Sequence, residues 1–165
     1  MMKEEFDTVD RLVTEWKLER PDLDVDAMQV VGRIIKLGKV LEKRASSVLK
    51  DSDIHYTDLD VLATIRRSGK PYQLAPKQIM DSVLLTSGAM TALLDRLTKL
   101  ELIYRAADNK DGRVKLAGLT EKGMQVIDKA IKIRFKEADL SVNVLSENER
   151  LALSDLLRKL LISIG

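Results

Sequence analysis

The stretch QLAPKQIMDSVLLTSGAMTALLDRLTKLELIYRAADNKDGRVKLAGLT, residues 73–120, decides how this chain folds. Its pattern predicts a short helix from Pro76, a tight turn, and a second helix from Thr86 to about Leu100. Proline is favoured at the first position of a helix, and apolar residues recur at helical spacing in both segments. Residues 103–107 then have strand character, and a return strand alternates apolar and basic side chains around Leu116.

A charged turn joins the two predicted strands. It reads DNKDG, residues 108–112, and Asp111-Gly112 strongly favours a tight turn. Two helices joined by a turn and followed by a basic, two-stranded hairpin are typical of proteins that place one helix in the major groove of DNA. The alternative interpretation of the second helix is a packed core helix, and that of the charged turn is a solvated hairpin tip.

Positive charge is concentrated on this stretch. Residues 61–122 carry 11 Lys and Arg against 6 Asp and Glu, a net charge of +5, whereas residues 1–60 carry 10 against 14. Such a concentration attracts phosphates, and it also fits an ordinary solvated face.

The residues able to contact DNA lie at two places. The second helix begins with small or hydroxylated side chains that can approach base edges and phosphates, and Arg96 lies one turn further along. The hairpin tip can reach the DNA backbone or minor groove. The predicted DNA-binding residues are Thr86, Ser87, Gly88, Thr91, Ala92, Arg96, Asn109, Lys110 and Arg113.

Amphipathic helices are predicted on both sides of this stretch. They cover residues 4–19, about 25–49, Thr120 to Glu137, and Ser146 to the end of the chain. In the first, Phe6, Val9, Val13 and Trp16 lie at helical spacing. Ser146 and Glu149 form a capping box, and Thr57 with Asp60 at the third helical position is expected to cap the helix after His55. A helix of about 25 residues is ~37 Å long, so its apolar surface suggests a partner chain.

Catalysis has little support in this sequence. The chain has no cysteine and one histidine, which excludes disulfides, thiol catalysis and cysteine-ligated zinc. Glycine-rich nucleotide loops and nucleophile elbows do not occur. We expect no enzyme activity, no cofactor and no metal. No apolar run approaches the ~18–20 residues of a membrane span, so we expect a cytoplasmic protein without a membrane partner.

These features together resemble MarR-type winged-helix transcriptional regulators over nearly the whole chain. The matching passages are YTDLDVLATIRRSG, YQLAPKQI, SGAMTALLDRLTKLELIYR and DNKDGRVKLAGLTEKG. The family's wing signature, roughly D-x-R-D-x-R, reads here as Asp108-Asn109-Lys110-Asp111-Gly112-Arg113, with lysine in place of the first arginine.

The resemblance implies a fold and an assembly. The fold is mainly α with a small β-wing: a winged helix-turn-helix domain over residues 55–119, dimerisation helices at 25–50 and 120–165, and an extra N-terminal amphipathic helix at 1–20. The implied partners are a second copy of the chain, a double-stranded, pseudo-palindromic DNA operator, and a small-molecule effector.

A narrower resemblance, to the PecS-like, urate-responsive branch, implies a ligand site. Members of that branch add a tryptophan-bearing N-terminal helix, and their ligand-binding residues correspond to Trp16, Asp60 and Arg105. A packing role for Trp16 and a capping role for Asp60 are the alternatives. The remaining arginine of that ligand site corresponds to Ala92, so a cationic partner is missing there. Separately, such relatives often read Asn-Arg where this chain has Ala92-Leu93.

Two functions are consistent with this sequence. The first is a sequence-specific regulator, a repressor, that a small aromatic or anionic ligand releases from DNA. The alternative is a winged-helix dimer that binds proteins or sequesters a ligand without a specific DNA site. Leu93 would favour this alternative if it were exposed.

Overall fold

The computed structural model describes residues 6–83, 87–107 and 115–165. The chain divides into two compact units, Met1–Arg44 and Ala45–Gly165. In chain order the elements are α1 (Thr8–Glu19), α2 (Asp26–Val48), a 3-10 turn (Lys50–Ser52), α3 (Tyr56–Arg67), β1 (Gln73–Leu74), α4 (Pro76–Met80), α5 (Ser87–Lys99), β2 (Ile103–Ala107), β3 (Lys115–Leu119), α6 (Glu121–Ser141) and α7 (Glu147–Ile164).

The first unit is held together by a small apolar contact and a cluster of charges. Val9, Val13 and Val25 form its buried core. Asp7 caps α1 by accepting hydrogen bonds from the N–H groups of Val9 and Asp10, and Arg33 pairs with Asp7 at 2.8 Å and with Asp10 at 2.6 Å. Helix α1 therefore begins at Thr8, later than predicted.

Phe6 and Trp16, which the sequence places at helical spacing with the valines of α1, are not buried with them in the single chain. Phe6 precedes the Asp7 cap, lies outside the helix and is 73% exposed, and Trp16 is 53% exposed. Within the described part of the unit, the apolar contact therefore consists of small valine side chains.

The second unit has one larger core, to which α3, α4, α5 and α6 contribute. Leu62 and Ile65 of α3, Ile79 of α4, Leu94 and Leu97 of α5, and Ile127 of α6 are all fully buried. The predicted helix starts at Pro76, Thr120 and Ser146 are confirmed, since Pro76 is the first residue of α4, Thr120 caps α6 and Ser146 caps α7. Helix α6 runs to Ser141, beyond the predicted Glu137.

The predicted cap of α3 is wrong. The helix begins two residues earlier than a cap at Thr57 would allow, with His55 as its N-cap residue. The carboxylate of Asp58, at the third helical position, accepts a hydrogen bond of 2.7 Å from the backbone N–H of His55. Asp60 therefore has no capping role, and its carboxylate is available for another purpose.

The sheet has three strands where the sequence predicts two. It is antiparallel in the order β1-β3-β2, with Ile103 opposite Leu119 and Gln73 opposite Gly118. A Cβ atom on Gly118 would lie 2.5 Å from the ring of Tyr104, so only glycine lets that ring cross β3. The added strand β1 has only two residues, which is too short for a period-two pattern.

Among the described residues, every helix is too short or too polar to cross a bilayer. Those residues also contain no cluster of three or more acidic or histidine side chains that could hold a metal ion.

The predicted boundaries of a winged helix-turn-helix domain at residues 55–119 and of flanking dimerisation helices stay predictions.

Candidate nucleic-acid interface and effector groove

Helix α5 presents one apolar and one exposed face. Met90, Leu94 and Leu97 are at most 1% exposed and belong to the core of the second unit. Gly88 and Ala92, near the N-terminal end, are exposed, and a Cβ atom on Gly88 would meet nothing within 4 Å. The N-terminal end of a helix carries free N–H groups and a partial positive charge, which favour a phosphate. We call α5 the recognition helix.

Several predicted DNA-binding residues are outside the part of the chain that the structure describes. Thr86 precedes the first described residue of α5, and Asn109, Lys110 and Arg113 belong to residues 108–114. Ser87 begins α5, but its side chain is not described. The described part of the predicted reading surface is therefore Gly88, Thr91 and Ala92, all exposed.

Arg96 is not a freely exposed cation. Its Nη2 atom lies 3.1 Å from the Oδ2 atom of Asp58 on α3, and the Asp58 side chain is completely buried. The same Oδ2 atom accepts the His55 hydrogen bond. Sequence reasoning missed Asp58; its position three residues after His55 was the available signal, because that spacing is the one of a capping box.

Leu93 is partly buried and packs against the core of the second unit. A leucine in that position contributes to folding. It therefore gives little support to a protein-binding surface at residues 92–93.

A groove of about 530 Å³ lies between α3 and α6. This volume is typical of sites for small organic molecules. Its apolar lining includes Tyr56, Leu59, Ala63, Ile127, Ile131 and Phe135, and its charged lining includes Asp60, Arg66, Arg67, Asp128 and Arg134. A ring surrounded by cations could bind there, so the groove suits an aromatic or anionic compound.

The two carboxylates of the groove differ electrostatically. Burial raises the pKa of Asp60, and Arg134 and Arg67 only partly oppose this effect. The guanidinium of Arg66 donates a hydrogen bond of 2.8 Å to Asp128 and lowers the pKa of that carboxyl group. Asp128 is therefore fixed in an ion pair. Ionisation of Asp60 is unfavourable, and a hydrogen-bond donor on a ligand could stabilise its carboxylate.

The other two predicted ligand residues lie on other elements. Trp16 lines a cavity of about 360 Å³ in the first unit, together with Val13, Met28 and Lys36. Arg105 is on β2 and partly buried, and its Nη1 atom has no hydrogen-bond partner within the described parts of the chain. Of the three predicted residues, Asp60 lines the groove between α3 and α6.

Comparison with known proteins gives a consistent result. A model of the MarR family matches residues 52–114. The HTH-type transcriptional regulator PecS of Dickeya dadantii is 30% identical over 149 residues, which cover 90% of each chain.

Two solved structures have a similar fold. MarR from E. coli, as a cysteine-to-serine mutant complexed with operator DNA, has a TM-score of 0.73 at 23% identity over 83% of this chain and 97% of its own. BpsR of Bordetella bronchiseptica, whose DNA binding is regulated by 6-hydroxynicotinic acid, has a TM-score of 0.71 at 20% identity over 82% and 94%.

Proposed function

The chain belongs to the MarR family of transcriptional regulators, and from that premise we propose that it is a homodimeric repressor released from a pseudo-palindromic operator by a small aromatic or anionic ligand. The observation that carries the proposal is the orientation of α5. Its apolar face is buried in the core, and its N-terminal turn is exposed, with small residues at Gly88 and Ala92. This is the arrangement that a helix entering the major groove requires.

The proposed DNA contacts combine base reading and backbone binding. Thr91 offers a hydroxyl group, and Ala92 can contact a thymine methyl group. Thr86, Ser87, Asn109, Lys110 and Arg113 complete the proposed surface, the last three from the wing. The wing cations neutralise phosphates, so the affinity should fall steeply as the salt concentration rises.

Exposed apolar side chains support the homodimer. Helix α7 has no buried residue within the described chain, although Leu151, Leu153, Leu156, Leu160, Leu161 and Ile164 lie along it. Helix α2 likewise exposes Val30, Val31, Ile34, Ile35 and Leu37. A second copy that covers these residues would place two recognition helices on one face, about one turn of DNA apart.

The groove between α3 and α6 is the proposed effector site. Asp60 and Arg67 provide polar contacts, and Phe135, which is 67% exposed, provides a ring for stacking. Trp16 and Arg105 stay proposed contributors. The ligand must prefer the arrangement that does not bind DNA, and a preference of ~1–3 kcal/mol changes operator affinity about 5–150-fold.

Selection of bound fragments from random duplex DNA tests the proposal. We expect an enriched inverted repeat whose half-sites are about 10 base pairs apart. Ala92→Glu should abolish the enrichment, because it places a carboxylate on the exposed face of α5, whereas Ala92→Gln is a control of equal size without the charge.

Selection without enrichment, even at low salt, would instead favour the protein-binding or ligand-sequestering dimer. The effector is sought separately with a thermal-shift screen of urate and phenolic acids. Compounds that stabilise the protein should then release the selected operator, and Asp60→Ala should reduce that release.

A further inference from the structure

We propose that Arg96 is a positioning residue, which fixes the rotation of the recognition helix through buried Asp58 and does not itself contact DNA. The inference rests on the proposed DNA-binding function. It concerns the contact that sets how Gly88, Thr91 and Ala92 would face the major groove of DNA.

One carboxylate oxygen joins two helices. The Oδ2 atom of Asp58 accepts the backbone N–H of His55 at 2.7 Å and lies 3.1 Å from Nη2 of Arg96. The first contact fixes the carboxylate at the start of α3, and the second fixes α5 relative to that point. The Asp58 side chain is 0% exposed and that of Arg96 is 35% exposed, so the contact lies inside the second unit.

The apolar packing of α5 selects which face of the helix is buried. Met90, Leu94 and Leu97 bury α5 against the core, but burial of apolar surface is non-directional. A charged contact between a guanidinium and a carboxylate is directional, so the single contact of Arg96 with Asp58 adds a fixed point to that packing. Arg96 lies about one turn after Ala92, so its direction controls how the exposed face is turned.

A DNA contact would compete with this pair. A phosphate that took the guanidinium would leave the Asp58 carboxylate charged and buried without a cation, which is strongly unfavourable. The pair therefore holds the Nη2 atom of Arg96 on Asp58, and a phosphate could bind this arginine favourably only if that contact stayed in place. The proposal is an alternative to the sequence-based prediction that Arg96 contacts DNA.

The pair is not optimised for stability. Asp58 Oδ1 and Arg96 Nε are both buried and have no hydrogen-bond partner among the described residues. A carboxylate and a guanidinium can form two parallel hydrogen bonds, so this pair uses less than its full capacity. Replacing both members of a buried ion pair is often neutral for stability, whereas removing one is costly. A role in orientation explains why such a pair is present.

A double-mutant cycle on the selected operator tests the proposal. The variants are Asp58→Asn, Arg96→Gln and the double variant, and Asp58→Asn keeps an acceptor for the His55 N–H. We expect each single variant to weaken operator binding at least about fivefold, the lower end of the cost of one base contact. The double variant should be no weaker than the worse single one and should keep the thermal stability of the native protein.

The salt dependence separates positioning from direct contact. If Arg96 positions α5, the slope of log Kd against log salt should be unchanged in all three variants. A phosphate contact would lower the slope by roughly one in Arg96→Gln and leave Asp58→Asn with native affinity. That result overturns the proposal.

Hydrogen exchange in the free protein provides a measurement that needs no DNA. Amides of Ser87–Lys99 should exchange faster in both single variants. Native exchange rates in both variants would contradict the proposal that the Asp58–Arg96 pair fixes α5. The exposed pair Asp155–Arg158 on α7, 69% and 64% exposed, is the matched control for the same two substitutions. If the native protein selects no operator, the proposed function fails while hydrogen exchange still tests the pair.

Discussion

At the scale of single residues, Asp60 combines a cost to folding with a proposed contact to the ligand. Burial raises its pKa above the unfolded value. A raised pKa means that the contribution to stability is fully present below the unfolded pKa and is lost as the pH rises through the folded pKa. At neutral pH the ionised carboxylate therefore costs stability, and a bound ligand that donates to it would recover part of that cost.

We therefore expect Asp60→Asn to increase the free energy of unfolding near pH 7. The increase should disappear as the pH falls toward the ordinary aspartate pKa of about 3.9. Urea unfolding at a series of pH values measures both effects, and ligand release of the operator should weaken in the same variant.

Asp128 is the matched control for that prediction, because its pKa is lowered by Arg66. Its contribution to stability is present above the unfolded pKa and is lost as the pH falls through the folded value. Asp128→Asn should therefore lower stability at neutral pH, although only slightly because the pair is solvent-screened. If both variants shift stability in the same direction, the electrostatic assignment of the groove is wrong.

At the scale of elements, the start of α6 is bound to the chain that follows the recognition helix. The Thr120 hydroxyl accepts the N–H of Gly123 at 2.9 Å and donates to the carbonyl of Glu101 at 2.7 Å. The ammonium group of Lys122 donates to the carbonyl of Leu100 at 2.9 Å. A displacement of α6 by a ligand in the groove would therefore be passed directly to the end of α5.

Gly123 allows this close approach, since a Cβ atom there would lie 1.9 Å from the carbonyl oxygen of Leu102. Gly123→Ala must separate α6 from that carbonyl, and we expect a loss of at least about 2 kcal/mol in the free energy of unfolding. Gly38→Ala, in α2, is the control, because a Cβ atom there would meet nothing within 4 Å. It should be neutral or stabilising by up to about 1 kcal/mol, and equal losses in both variants would contradict the role of Gly123.

Helix starts were predictable where the cap is a local contact. Thr120 and Ser146 bond to N–H groups three residues away, so type and spacing were sufficient to identify them. The start of α3 was not predictable in that way, because Thr57 is the better capping residue by type. There Asp58 accepts a hydrogen bond from the N–H of His55 and also pairs with Arg96, which lies 38 positions later in the sequence.

The candidate sites depended even more on tertiary contacts. Sequence identified Asp60, but the arginine that faces it, Arg134, comes from a helix more than seventy residues away. Sequence also placed Arg96 on the correct helix and could not give the direction of its long side chain. The resemblance to the MarR family predicted the winged helix-turn-helix arrangement of the elements, which the spacing of apolar residues alone does not give.

At the scale of the whole molecule, the exposed apolar side chains of α7 predict that the folded chain is a dimer. Leu156 is 62% exposed and lies midway along the helix. In a symmetric dimer each substitution occurs twice, and burial of one leucine contributes about 1.5–3 kcal/mol. Leu156→Glu should therefore cost about 3–6 kcal/mol of association, and the dissociation constant of the dimer should rise at least about 100-fold.

Sedimentation velocity over a range of concentrations measures this change, and operator binding should fall with it, because a monomer can contact only one half-site. Arg158→Glu is the control, since it adds negative charge at a 64%-exposed position two residues later, which faces away from Leu156. A native chain that sediments as a monomer while it binds the full inverted repeat would contradict the dimer. Leu156→Glu that remains dimeric would instead place the interface away from this face of α7. The two outcomes differ because the first concerns the existence of the dimer and the second concerns the surface that forms it.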